Sequence, residues 1–235
     1  MDIKRNKEAF LEGQLLLIDK PLNWTSFQLV NKIRWAIRKT YGIKKIKVGH
    51  AGTLDPLATG LMLICTGRMT KQIEQFMGMD KSYTGVIRLG GTTPSYDLET
   101  PVGEIKPFDQ IDKEQLMEAR NSFIGTINQK PPLHSAIKKD GKRLYTLARA
   151  GQTIDIPARE IRINSFDLTT MALPNISFEV CCSKGTYIRS LAHDYGQVLG
   201  CGAHLASLCR TSIGEYLLSD SLSLEEFLHS LEEKS

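Results

Sequence analysis

Gly49-His-Ala-Gly-Thr-Leu-Asp-Pro-Leu-Ala-Thr-Gly60, followed at once by the apolar run Leu61-Met-Leu-Ile-Cys65 and then by Gly67, is the stretch from which the rest of the chain can be read. A residue that precedes proline is driven out of the α region, so Asp55 is predicted to be extended on a loop. Glycines on both sides let the backbone turn closely around it. The apolar run, bounded by glycines, reads as a buried strand. An acid is thereby placed at the rim of a rigid sheet.

Working outward, Leu15-Leu-Leu-Ile18 predicts an opening strand, stopped by the polar turn Asp19-Lys-Pro-Leu-Asn23. Thr25 or Ser26 then caps a helix with Phe27, Val30, Ile33 and Ile37 on its apolar side, ended by Tyr41-Gly42. Beyond the Asp55 loop and its strand, a short helix is expected over 70–77 and a half-buried strand over 83–89. Asp112 caps a helix carrying Leu116, Ala119 and Phe123, and a second helix is expected over 142–150. Between them, Pro131-Pro132 excludes a central strand. Strands over 161–168 and 176–182 precede a helix over 186–199 with Ile188, Leu191, Tyr195 and Val198 inward. Ser223 caps a last amphipathic helix with Glu225 and Glu226 in its first turn. The mixture lacks a regular βαβ repeat. It predicts an α+β fold with a mixed, largely antiparallel central sheet flanked by helices.

A chain of 235 residues can bury a sizeable core, as one large domain or as a domain with a small appendix. With 41% hydrophobic and 24% charged residues it is ordinary for a soluble protein, and no apolar run reaches membrane-spanning length. The N-terminus has no secretory h-region, and five cysteines without a C-x-x-C pair suit a reduced compartment, so a cytoplasmic location is expected. Net charge is only +4, but between Lys20 and Leu54 there is no Asp or Glu. Lys20, Lys32, Arg34, Arg38, Lys39, Lys44, Lys45 and Lys47 all fall in that interval. Such a cluster is either a solvated face or a surface for phosphates.

On local grounds, Asp55 is either an Asx-turn residue or a nucleophile. His50 lies five residues before it, without the spacing of a metal site, and the remaining histidines add no ligand cluster. No G-x-S-x-G elbow, P-loop or dinucleotide fingerprint occurs. The segment Cys182-Ser-Lys-Gly-Thr-Tyr-Ile-Arg189 joins a strand to a helix and presents Lys184, Tyr187 and Arg189. It suits an anion at a helix start, or else Arg189 makes a structural ion pair. Tyr83 is either core or an edge residue offering its ring to a base.

Taken in order, Gly13-Gln-Leu-Leu-Leu-Ile-Asp-Lys-Pro21, the Gly49–Gly60 stretch, Lys81-Ser-Tyr83, Thr93, Ser95 and Asp97, Pro131-Pro132, Ser135-Ala136, Cys182–Arg189 and Leu208-Cys-Arg210 closely resemble the TruB-type tRNA pseudouridine synthase family. That resemblance implies the pseudouridine synthase fold and isomerisation of the T-loop uridine at tRNA nucleotide 55, a number that matches Asp55 by coincidence. It implies that Asp55 is catalytic, that Tyr83 stacks on the target base, and that Arg189 pairs with the aspartate. His50, Tyr187 and Leu208 match positions lining the substrate pocket.

Chemistry makes these roles coherent. The N1–C1′ bond breaks, the freed uracil turns, and C5 joins the same sugar carbon, with no redox equivalent or group donor consumed. Such a reaction needs a carboxylate, a platform that retains the base, and a dry enclosure. An opposing guanidinium would offset the desolvation of the acid. No cofactor and no metal are expected. Whether Asp55 attacks C1′, adds to the ring or initiates elimination to a glycal stays open.

The expected partner is tRNA at its T-loop, T-stem and elbow, without membrane or obligatory protein partner. The implied organisation is an extension over 1–12, a catalytic domain over 13–214 with a basic RNA-contacting insertion near 124–152, and a helical tail over 215–235. The tail is too short for the PUA domain of many family members. His134 stands where the family usually has tyrosine. The competing functions are a noncatalytic RNA chaperone using the same basic face and a metal-dependent hydrolase using His50 and Asp55.

Overall fold

The computed structural model describes residues 3–103, 105–133 and 156–232, with the backbone of two short strands at 138–139 and 142–143. Two compact units are formed, one by 1–83 with 209–235 and the other by 84–208.

The first unit opens with α1 (Lys7–Glu12), capped by the Asn6 side chain on the Ala9 amide. Strand β1 (Leu15–Lys20) follows and extends through Asp19 and Lys20, which the sequence had suggested as a turn. Helix α2 (Ser26–Tyr41) starts at a reciprocal capping box between Thr25 and Gln28 and stops at left-handed Gly42. Strands β2 (Val48–His50) and β3 (Ala58–Thr66) enclose the Asp55 loop. A 3-10 turn at Gly67–Gln72 leads into α3 (Ile73–Gly78), so the helix expected over 70–77 is split and shorter. β3 pairs antiparallel with β1, Leu17 opposite Leu63, and Leu61 to Cys65 are fully buried, as their apolar run predicted.

Strand β4 (Lys81–Leu89) passes from the first unit into the second after Tyr83. The second unit continues with α4 (Lys113–Asn121), capped by Asp112, and β5 (Gly125–Gln129). A hairpin of β6 (Lys138–Lys139) and β7 (Lys142–Arg143) comes next. The first two residues of the helix expected over 142–150 therefore lie in a strand. The rest of that helix, His134 and the side chains of the basic insertion lie outside the described residues. β8 (Arg159–Ala172) and β9 (Asn175–Cys182) pair antiparallel with two register shifts, and α5 (Ile188–Val198) follows. β10 (Ala203–Ile213) returns to the first unit after Leu208. That unit is completed by β11 (Tyr216–Leu217), β12 (Leu222–Ser223) and α6 (Leu224–Glu232).

In the first unit the strand order is β12-β1-β3-β10, with β2 beside β3 and β11 beside β10. In the second it is β4-β9-β8-β5. β1 and β12 are parallel while β1/β3, β5/β8 and β8/β9 are antiparallel, so the expected mixed α+β architecture is present. Two helix faces differ from expectation. Phe27 is 69% exposed, because Ser26, Leu29, Val30, Ile33, Ala36 and Ile37 form the buried stripe of α2 and Phe27 lies about 100° around from Ser26. Val198, at the last position of α5, is 57% exposed.

Candidate active site

The loop carrying Asp55 is anchored through its backbone. On its N-terminal side the Ala51 amide donates to the Leu63 carbonyl at 2.9 Å. Leu54 is clasped by Ser26, whose hydroxyl accepts from the Leu54 amide at 2.9 Å and donates to its carbonyl at 3.0 Å. The cap end of α2 is therefore tied to the residue before the aspartate. The Asp55 carbonyl accepts the Ala58 amide at 3.1 Å, closing a turn over Pro56, and the Pro56 carbonyl accepts the Asn23 amide at 2.8 Å. Gly60 donates to Asp19 Oδ1 at 3.0 Å. Asp55 itself is half-buried.

Two buried cations complete the support. Lys20 has no exposed surface, and its ammonium donates to the carbonyls of Trp24 at 2.6 Å, Pro21 at 3.0 Å and Pro56 at 3.4 Å. Burial lowers its pKa to about 8, against the opposing attraction of Asp55 and Asp19, while Arg210 pushes it further down. Lys20 is thus not part of the surface cluster in which its sequence position placed it. Arg210, fully buried on β10, donates from Nε to the Leu61 carbonyl at 2.7 Å and from Nη2 to the Gly52 carbonyl at 3.2 Å. One guanidinium fork so bridges the two shoulders of the loop, and its loss would leave buried carbonyls unpaired at about 1–3 kcal/mol each.

His50 lies at the end of β2, opposite Ile64 of β3. Burial lowers its pKa below the usual histidine value, opposed by a hydrogen bond with the Gly52 backbone and helped by the Arg210 charge, which favours the neutral imidazole. Tyr83 on β4 is 8% exposed, nearer to the core than to an open edge. Lys81, two residues before it, is buried and donates to the carbonyls of Met77 at 2.7 Å and Met79 at 2.5 Å, capping the end of α3. Asp55, His50 and Tyr83 thus belong to the first unit.

Tyr187, Arg189 and Leu208 belong to the second. Tyr187 is the N-cap residue of α5 and is bracketed by Gln129, which donates to its carbonyl at 3.0 Å and accepts its amide at 2.8 Å. The Arg159 guanidinium sits 4.7 Å from the centre of its ring. Arg189 is buried, donates from Nη1 to the Ser95 carbonyl at 3.1 Å and places Nε 3.7 Å from Asp97 Oδ2. The Asp97 carbonyl is held by the hydroxyls of Thr93 at 2.6 Å and Ser95 at 3.1 Å. Leu208 is half-buried on β10.

Sequence reasoning missed Lys20 and Arg210 as supports of the Asp55 loop and Asp97 as a partner of Arg189. A signal existed for the last two, since both are charged residues within otherwise apolar or hydroxyl-rich segments. Among the described residues no group of three His, Cys, Asp or Glu side chains converges as a metal site, and no helix is long and apolar enough to cross a membrane.

Comparison with known proteins identifies the family. The model of the TruB family pseudouridylate synthase N-terminal domain matches residues 38–188, and that of the tRNA pseudouridylate synthase B C-terminal domain matches 189–235. The chain is 53% identical to the tRNA pseudouridine synthase B of Flavobacterium johnsoniae, over 96% of its own length and 99% of the relative's. The protein of the same name from Phocaeicola vulgatus is 52% identical over 96% of both chains. Among solved structures, a chain of a Cbf5-Nop10-Gar1 complex superposes with a TM-score of 0.69 at 25% identity, covering 94% of this chain and 54% of that one. A chain of the archaeal box H/ACA sRNP Nop10-Cbf5 complex shares the fold at 0.67 and 22% identity, with 95% and 55% covered, so the chain spans about half the length of these solved chains. With the anchored Asp55 loop, both family models and relatives matched nearly end to end, the chain belongs to the TruB family of pseudouridylate synthases.

Proposed function

We propose that this chain isomerises the uridine at position 55 of the tRNA T-loop, acting on a flipped-out base with Asp55 as the catalytic residue. The observation that carries the reading is the anchoring of Asp55, a half-buried carboxylate on a loop held by Lys20, Ser26 and Arg210. A loop so anchored presents its acid with little reorganisation. Tyr83 would retain the detached uracil by stacking, and neutral His50 would contact the nucleotide without adding charge. Tyr187, Arg189 and Leu208 would act on the same nucleotide, with Arg189 as the cation for the aspartate. The relatives' names supply tRNA as the substrate class.

Extruding a stacked base costs a few kcal/mol, which phosphate contacts elsewhere can offset. A cavity of about 310 Å³ in the first unit, lined by Lys45, Lys47, Arg68 and Lys71 with no acidic residue, supports such contacts. The direct test is nucleotide-resolution mapping of pseudouridine in an unmodified tRNA transcript after incubation with the protein. Pseudouridine at position 55 alone is expected. Modification elsewhere would overturn the site assignment, and none anywhere would overturn the enzyme reading.

Lys20 gives this reading a pH signature. Below about pH 8 its ammonium holds the Pro56 carbonyl and faces Asp55 as a cation. The single-turnover rate is expected to fall above an apparent pKa near 8, and Lys20→Met should be slow without that alkaline limb. Stability runs the other way. The folded-state pKa is depressed, so between about 8 and 10.5 the unfolded chain binds the extra proton and this group's contribution to stability rises with pH. A wild-type rate profile that stays flat from about pH 7 to pH 9.5 would remove Lys20 from the chemistry.

A further inference from the structure

We propose that Lys32, Trp35 and Lys39, on the outward face of α2, form a second RNA contact that grips the sugar-phosphate backbone away from the nucleotide at Asp55. This rests on the RNA reading above.

Trp35 lies opposite the buried stripe of the helix and is 53% exposed. A helix that only faces solvent has no use for an indole there. The ammonium groups of Lys32 and Lys39 are each 5.0 Å from the ring centroid, so the two nitrogens are no further apart than twice that distance. The ring holds two flexible cations in one place, which a polyanion exploits and an isolated surface lysine does not provide.

Charge selects the occupant. α2 carries no acidic residue, Arg38 beside the cluster is exposed, and Lys44, Lys45 and Lys47 follow it as exposed cations. Position selects it too. Ser26, at the start of α2, is bonded to Leu54 beside the aspartate, and Trp35 lies nine residues further along the same helix, about 14 Å at its usual rise. An RNA presenting one base to Asp55 spans that distance with a few nucleotides of backbone. The two lysines would take its phosphates, and the indole would pack against ribose.

The chain has two tryptophans, so Trp24→Phe leaves Trp35 as the single reporter. Titration of that variant, also carrying Asp55→Asn to prevent turnover, with unmodified tRNA transcript is expected to change Trp35 emission saturably, with the Kd found by filter binding. In the otherwise wild-type chain, Lys32→Ala with Lys39→Ala is expected to raise that Kd about tenfold near 0.1 M salt and to reduce the slope of log K against log salt by about 1.5. Trp35→Ala should raise Kd several-fold. An unchanged Kd and slope in the double variant, or unaltered emission at saturating RNA, would overturn the contact. So would equal quenching by polyglutamate at the same ionic strength, which would point to an acidic protein, or concentration-dependent dimerisation abolished by Trp35→Ala, which would point to a second copy. The binding readout does not depend on turnover. RNA-dependent quenching without any pseudouridine in the wild-type reaction would sink the catalytic reading and leave the contact standing, and the reverse pattern would sink the contact alone.

Discussion

Asp55→Asn is expected to lower pseudouridine formation by at least about a thousandfold while leaving the melting temperature and RNA affinity close to wild type. The side chain keeps its size and can still hydrogen-bond, so packing is conserved. The hydrogen bonds of Ser26, Arg210 and the Ala58 amide go to backbone groups of the loop and survive the loss of the carboxylate charge, while Lys20, which also holds the Pro56 carbonyl, loses one of the two carboxylates that favour its charged form. What is lost is a negatively charged oxygen able to attack carbon or accept a proton. Release of tritium from [5-³H]uridine-labelled tRNA measures the reaction, and filter binding measures affinity. Normal turnover by this variant would remove Asp55 from the mechanism. Loss of binding together with activity would make the residue a binding group instead.

The reason the Asp55 loop was legible in sequence while its supports were not lies in the kind of information each residue carries. Glycine and proline act on their own backbone, so Gly52, Gly60 and Pro56 announce the turn locally, and the strand after it is a plain apolar run. Lys20 carries no such local mark. In a segment without acids it looks like one more surface cation, and only the carbonyls of Trp24 and Pro56 folding back over its side chain make it a buried strut. Strand β10 was overlooked for a related reason. Ala-His-Leu-Ala-Ser-Leu-Cys-Arg-Thr-Ser-Ile does not alternate cleanly, because its buried positions include His204 and Arg210, whose Nδ1 and Nε respectively meet the carbonyls of Gly91 and Leu61 from distant parts of the chain. The ion pair of Arg189 was one of two readings open from sequence. Its partner Asp97 is ninety-two residues away and could not be named from spacing.

Gly60→Ala is expected to destabilise the protein by about 3 kcal/mol or more, lowering the melting temperature by about 10 °C, and to reduce activity with it. Gly60 has φ +102°, a backbone state in which an alanine is strained whatever surrounds it. Space is also missing. A Cβ there would fall 2.6 Å from the Arg210 nitrogen and 3.0 Å from its carbonyl carbon, and would press on its carbonyl oxygen. All three are backbone atoms of β10, so relief requires moving the strand. The same movement would shift the Arg210 guanidinium from Gly52 and Leu61, disturb the Gly60 amide on Asp19, and displace the loop that positions Asp55. Gly42→Ala separates the two contributions. Its φ is +62° and nothing lies within 4 Å of the added Cβ, so strain alone applies and a loss of about 1 kcal/mol is expected with activity retained. Thermal unfolding and single-turnover rates on both variants decide the matter. Equal losses of stability would mean that conformational strain accounts for both sites, and full activity in a destabilised Gly60→Ala chain would mean that the contact between β3 and β10 does not position the aspartate.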